Sequence, residues 1–378
     1  MPATKHLKEA ERLVTICNSC RYCEGLCAVF PALEMRRAFS DGDLNYLANL
    51  CHGCGACYVD CQFSPPHEFA VNVPKTLAEV RADSYRAYAW PKILRPLFDR
   101  NGLAIAAVAA ISVTGFILSF VFWHDPQALF SGSGQFYRLM PHKVMVALFG
   151  GISIFTVLAL WMGFRNYWSD IGLGSVSAGT NSSIWQAIKD AGSLRYLDGG
   201  GAGCHDDQQP TDRRRMFHHF TFYGFMLCFA ATCTATVFHY AFDRPAPYEW
   251  YELPKLLGIV GGIGLLIGPP GLLHAKFTRD PSLEDRERRG GDTAFLGMMF
   301  LTGVTGLLLM LLRQTPAMGI VLAVHLGVVF ALFLTLPYSK FVHGLYRFGA
   351  LVLYAVERRN GLAVTASQTP SMPVDDAT

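Results

Sequence analysis

Six stretches of this chain, 102–123, 144–164, 217–241, 256–273, 294–312 and 317–337, contain no Asp, Glu, Lys or Arg. A helix rises about 1.5 Å per residue, so roughly 20 apolar residues cross a hydrocarbon core of about 30 Å. Helices in soluble cores seldom run that far without a charge. The pattern predicts an all-α membrane domain of six transmembrane helices over 101–350. Composition agrees, since 51% of the residues are hydrophobic and 16% charged, too apolar for an ordinary soluble protein.

Basic residues are shared unevenly among the connections. Those after the second and fourth spans carry Arg165, Lys189, Arg195, Arg213, Arg214, Arg215, Lys276, Arg279, Arg286, Arg288 and Arg289. Those after the first, third and fifth carry Arg138, Lys143, Arg244, Lys255 and Arg313. Positive charge stays on the cytoplasmic side, which puts both termini there. Residues 1–16 agree, being charged and amphipathic with no apolar core for a secretory leader. The connection 165–216 is expected to be mostly flexible, with an amphipathic surface helix over 185–197. Residues 351–378 are expected to form a disordered tail.

Of 11 cysteines, eight fall between Cys17 and Cys61. They form the run Cys17, Cys20, Cys23, Cys27 and its copy Cys51, Cys54, Cys57, Cys61, each cysteine recurring 34 residues later. Such clustering in a reducing compartment favours metal ligation over disulfides. A tetrahedral zinc site needs only two C-x2-C pairs, so the third cysteine of each run would have no task. The spacing is instead that of two-cluster ferredoxins, in which three close thiolates hold one 4Fe–4S cluster and the fourth reaches the other. Cys17, Cys20, Cys23 and Cys61 are thus expected on one cluster, and Cys51, Cys54, Cys57 and Cys27 on the second. Proline usually follows the fourth cysteine, but Ala28 and Gln62 stand there. Residues 32–50 contain good helix formers, with two apolar groups broken at Asp41-Gly42, so residues 1–100 read as a helical two-cluster domain. His52 and His67 flank the second run and are expected at the surface. Arg36, Arg37, Arg81 and Arg86 offer a basic surface for an acidic partner. Cys228 and Cys233 read as small apolar fillers. Cys204-His-Asp-Asp207 has too few partners to be read as a metal site.

Titratable side chains inside a span need a reason. His218 and His219 open the third span and His239 closes it; His325 lies in the sixth, which leaves the membrane towards His343. Pairing by depth joins His218 or His219 with His343, and His239 with His325, each pair a candidate axial set for a b haem. At about 100° per residue His218 and His239 lie within roughly 60° of each other, which favours His218 over His219. His142 and His274 are weaker candidates at span ends. Tyr338 and Lys340, at the membrane surface, mark a candidate quinone region.

Four segments carry a family resemblance: Cys51-His-Gly-Cys-Gly-Ala-Cys57, Pro65-Pro-His-Glu-Phe-Ala-Val-Asn-Val-Pro74, Phe217-His-His-Phe-Thr-Phe-Tyr-Gly-Phe225 and Leu336-Pro-Tyr-Ser-Lys-Phe-Val-His-Gly-Leu-Tyr-Arg347. Together the chain resembles the citrate/tricarballylate utilisation protein B family, and is similar to the membrane half of a fused cobalamin-synthesis redox protein. The last span also resembles that of nitrate-reductase cytochrome b subunits, which implies a cytochrome b-like bundle. The resemblance implies a bacterial inner-membrane protein that reoxidises a soluble FAD-dependent dehydrogenase acting on tricarballylate. Electrons would pass through two 4Fe–4S clusters and one or two b haems to the membrane quinone. The substrate belongs to the partner, because no Gly-x-Gly-x-x-Gly opens a strand–helix unit in this chain. No nucleic-acid partner is expected. Two other readings fit the same residues: quinol feeding electrons to a cytoplasmic reductase, or a transporter with an iron–sulfur sensor domain.

Overall fold

The computed structural model describes residues 4–98, 101–123, 126–130, 136–172, 180–197, 199, 203–205, 210–285 and 289–368. The amino-terminal head is built from five helices. In α1 (Lys5–Cys20) the Thr4 hydroxyl accepts the Leu7 amide at the start, and Arg21 ends the helix at φ 54°. Its apolar face, Leu7, Ala10, Leu13 and Val14, is buried. Next come α2 (Val29–Glu34) and α3 (Asp41–Leu50). The helical stretch breaks before Asp41 because Ser40 and Asp43 form a capping box that starts α3 there. A short α4 (Ala56–Val59) and then α5 (Val73–Tyr88), capped by Asn72, complete the head. Both α1 and α3 pack on α5.

Among the described residues six helices are long and apolar enough to cross a membrane, and the chain is a multi-pass membrane protein. They are α6 (Asn101–Trp123), α8 (His142–Asp170), α10 (Arg213–Ala241), α11 (Leu253–Thr278), α12 (Arg289–Leu311) and α13 (Met318–Thr335). A one-turn α7 (Phe136–Leu139) precedes α8, and α9 (Thr180–Gly192) is the amphipathic helix of the long connection. Several of these helices outrun their charge-free stretches, because helical hydrogen bonding carries on into polar ends that have partners. At the end of α8, Asp170 accepts from Tyr88 at 2.5 Å and from Asn45 at 2.8 Å, tying the span to the head. Pro269 and Pro270 lie within a continuous α11. That helix lies close against α10: a Cβ on Gly268 would come within 2.5 Å of the Thr221 amide, so glycine sets the approach. Cys228 is half-buried in this region and Cys233 is exposed.

The expected disordered tail from residue 351 is corrected by α14 (Val342–Gln368). Residues 350–356, Ala-Leu-Val-Leu-Tyr-Ala-Val, are buried, most of them in the same core as Leu7, Leu13, Leu44 and Leu77 of the head. The apolar run gains more from burial there than it loses in chain entropy. Beyond it, Glu357 receives a hydrogen bond from Tyr46 at 3.0 Å and an ion pair from Arg36 at 2.5 Å. Arg36, which also binds Asp43 at 2.6 Å, is therefore an internal strut and not a docking residue. Residues 369–378 lie outside the described residues. Replacing Glu357 by Ala strips a mostly buried guanidinium of one of its two carboxylates. It should cost about 2 kcal/mol and speed amide exchange in α14, and adding Arg36→Met should recover part of the loss.

Candidate functional site

The eight cysteines of the head surround two small cavities. Cys17, Cys20, Cys23 and Cys61 line the first, with Ile16, Phe30, Phe63 and Val71, and Cys57 lines both cavities. Cys27, Cys51, Cys54 and Cys57 line the second. Each set joins three thiols of one run to the fourth of the other. Burial, then Cys23, Cys61 and Cys20, pushes the Cys17 thiol up to about 12; burial, then Cys61, Cys20 and Asp60, pushes Cys23 up to about 11. Burial, then Cys54, Cys27 and Cys51, raises Cys57 well above the usual thiol range, and burial, then Cys54 and Cys51, raises Cys27. Four crowded thiols of this kind ionise only beside a cationic centre. Among the described residues no three His, Cys, Asp or Glu side chains converge closely enough to hold a single metal ion. Four thiol donors spread around a cavity suit a multi-iron cluster in both chemistry and spread. At the two departures from proline, Ala28 is buried at the start of α2, and Gln62 donates to the Cys20 sulfur at 3.8 Å.

The second set lies deeper, with Cys51 and Cys54 buried. Two short antiparallel strands, β1 (Cys204–His205) and β2 (Pro210–Thr211), cover it, and the His205 amide donates to the Cys54 carbonyl at 2.7 Å. Gly55 has φ 89°, and a Cβ there would stand 2.6 Å from the His205 carbonyl oxygen. Asp206 and Asp207 fall outside the described residues. Guanidinium groups close the other side. Arg81 donates to the carbonyls of Ala48 at 2.7 Å and Cys51 at 2.8 Å, and Arg347 to Cys51 at 2.9 Å. Arg214 donates to Gly53 at 2.8 Å and His52 at 3.2 Å, and Arg279 to Gly53 at 2.5 Å. Arg81 is thus buried and not a docking residue, whereas Arg37 and Arg86 are exposed. His52 is also buried, contrary to the surface position expected of it. Its Nδ1 pairs with the Leu50 carbonyl at 2.9 Å, and burial, followed by Arg347, keeps the ring neutral by pushing its pKa well below the ordinary value. His67 sits half-buried between Phe63 and Phe69.

A cavity of about 860 Å³ lies between the head and the spans. His218 of α10 and His343 of α14 both line it, their ring centres 6.0 Å apart and their planes 75° apart. Nδ1 of His343 donates to the Lys340 carbonyl, which leaves Nε2 with the free lone pair. Burial, then Arg347 and His218, pushes this imidazole well below its ordinary range, so it is neutral and able to ligate. Nδ1 of His218 is buried with no hydrogen-bond partner. His219 turns elsewhere, its ring 5.8 Å from Tyr223.

The pairing of His239 with His325 is corrected. His239 stacks on His142, with centres 4.0 Å and planes 20° apart, and His325 Nδ1 meets the Thr305 hydroxyl at 2.9 Å. Depth along a helix does not fix its neighbours: α13 packs on α6 and α12, whereas α10 packs on α11. His274 is exposed. Tyr338 is corrected as well, since its hydroxyl donates to the Trp90 carbonyl at 2.9 Å in a buried joint with the head. Lys340 does line the cavity, 3.1 Å from Asp292, which also binds Lys276 at 2.9 Å. Sequence reasoning passed over Asp292, although a lone acid two residues before a charge-free stretch is a readable signal.

Fold and site together define a multi-pass membrane protein that carries a ferredoxin-like iron–sulfur head. Residues 96–364 match the family Citrate utilization protein B, and residues 10–87 match the Citrate utilization protein B Fer4-like domain. Citrate utilization protein B of Escherichia coli is 45% identical over 360 residues, covering 93% of this chain and 93% of its own. The chain belongs to the citrate utilization protein B family, and the resemblance seen in its motifs holds over nearly its whole length. No solved structure matches it. An all-helical head with this assignment fits an electron-transfer role.

Gly55→Ala would force an L residue into the left-handed region and against the His205 carbonyl. A loss of about 1–3 kcal/mol is expected, read as a lower melting temperature together with faster alkylation of Cys54 in the metal-free protein.

Proposed function

We propose that this chain carries electrons from a soluble FAD-dependent dehydrogenase, of the tricarballylate-oxidising type, to the quinone pool of a bacterial inner membrane. Both termini lie in the cytoplasm, where the donor docks on the head. Cys17, Cys20, Cys23 and Cys61 would hold one 4Fe–4S cluster, and Cys51, Cys54, Cys57 and Cys27 the other; His218 and His343 would hold a b haem. Bound there, these groups supply one-electron centres between a two-electron flavin and a quinone.

One observation carries the reading: His52, Gly53 and Pro74 line both the second thiol cavity and the large cavity that holds His218 and His343. The second thiol set and the histidine pair thus lie on two sides of one shared wall. The 6.0 Å between the ring centres of His218 and His343 leaves space for a metal ion to be held by both at metal–nitrogen distances of roughly 2 Å. Imidazoles ligate through in-plane nitrogens, and the stacked rings of His142 and His239 do not aim theirs at each other, so a single haem is proposed.

The chain's own residues do the remaining work. The carbonyl of Lys340 fixes the tautomer of His343, and the arginines around Cys51 hold the head at the membrane surface. The quinone headgroup is assigned to the wall formed by Lys340, Lys276 and Asp292. From there the chain of ion pairs through Lys276 to Glu284, at 2.5 Å, leads towards the connection between α11 and α12 and offers a way in for protons.

Anaerobically purified protein should contain non-haem iron and acid-labile sulfide in equal amounts, and zinc in their place would end the proposal. Cys61→Ser should disturb the cluster whose other ligands lie in the first run. An effect confined to the second-run cluster would refute the shared ligation. His343→Ala should abolish a low-spin b-haem band in the dithionite-reduced spectrum, whereas His239→Ala should leave that band in place.

A further inference from the structure

Positive charge is distributed very unequally between the two thiol sets. Four arginines from separate parts of the chain reach the backbone that enters the second run: Arg81 from α5, Arg214 from α10, Arg279 just beyond α11 and Arg347 from α14. Arg81 and Arg347 share one acceptor, the Cys51 carbonyl, at 2.8 and 2.9 Å. The Gly53 amide also donates to the Cys51 sulfur at 3.3 Å. This charge is crowded: burial, then Arg81, lowers the Arg347 guanidinium to about 10, and Cys51 opposes that shift.

The first set has the reverse surroundings. The negative charge of Asp60 adds to the burial and the neighbouring thiols that raise Cys23, and Arg21, beside Cys20 in sequence, is exposed to solvent. All four of its cysteines are only half-buried, so water screens whatever charge is near.

Reduction adds one negative charge to a cluster. Fixed cations held close to a cluster favour the reduced form, and backbone hydrogen bonds to the ligand sulfurs act in the same direction. We propose that Arg81 and Arg347, assisted by Arg214 and Arg279, raise the reduction potential of the second-set cluster above that of the first, making transfer from the exposed set to the membrane-side set downhill. The inference rests on the reading that both sets hold clusters, and it gives that reading a direction: electrons enter at Cys17, Cys20, Cys23 and Cys61 and collect beside His52. The arginines act through the cluster and its backbone, as tuning residues rather than ligands.

A redox titration followed by electron paramagnetic resonance tests it on the full chain in detergent, with the two signals assigned by their loss in Cys20→Ser and Cys54→Ser. The signal lost in Cys54→Ser should titrate at the higher potential. A unit charge at roughly 10 Å in an effective dielectric of about 20 is worth on the order of tenfold in an equilibrium ratio. Arg81→Gln should therefore lower the reduced-to-oxidised ratio of that cluster by on the order of tenfold at a fixed poise, leaving the other unchanged. Arg81→Lys should restore most of the difference, which a purely structural role would not. Where Arg81→Gln fails to assemble, Arg279→Gln at the edge of the contact should shift the same signal in the same direction. A second-set cluster that titrates below the first, or arginine variants that move both signals equally or neither, would overturn the inference while leaving the two-cluster reading intact. Wild-type protein without either signal would remove the reading itself.

Discussion

The head is held to the membrane domain by a shared apolar core, in which Tyr167, Ile171, Val342 and Tyr346 pack with Leu44 and Leu77, and by a set of polar bonds beside it. Arginines from α5, α10 and α14, and one beyond α11, share the carbonyls of residues 48–53. Asp170 at the end of α8 holds Tyr88, and Tyr338 after α13 holds the Trp90 carbonyl. The apolar core supplies adhesion, and the guanidinium–carbonyl bonds fix the orientation, because a buried carbonyl left without a donor is costly. The geometry of the second thiol set follows from this arrangement, since the carbonyl of its first cysteine, Cys51, is the one that Arg81 and Arg347 grip. The large cavity follows too, because the gripped segment forms part of its wall.

What could be read from the sequence had strong local determinants. The spans announce themselves by length and absence of charge, and the thiol runs by a spacing that few other tasks require. The family was legible for the same reason, through motifs such as the segment from Leu336 to Arg347. Helix ends shifted outward by up to about a turn or two, because polar ends such as Asp170 found partners that composition alone cannot supply. His218 was separable from His219 by helical phase, a property of one helix, and the structure turns His218 to the cavity and His219 to Tyr223.

What escaped depends on which helix stands beside which. His239 and His325 share an approximate depth, yet their helices pack on different neighbours, so one meets His142 and the other Thr305. Arg36 and Arg81 looked like solvated positive charge, since helical periodicity does not tell whether a carboxylate or a ring of carbonyls waits opposite. The segment Ala350–Val356 is apolar enough to have been recognised as structured. Its position after the last span, where tails are common, hid that signal.

That segment bears on how the molecule is made. Leu351, Val352 and Tyr354 complete the core to which Leu7, Leu13 and Leu47 belong, so the head is finished by residues synthesised after the membrane spans. Domains usually fold in order of synthesis. Here that order is interrupted, because the head lacks part of its core until α14 packs onto it. Completion of the thiol-bearing head is thereby coupled to completion of the membrane domain, and a chain that stops short of α14 leaves both halves unfinished.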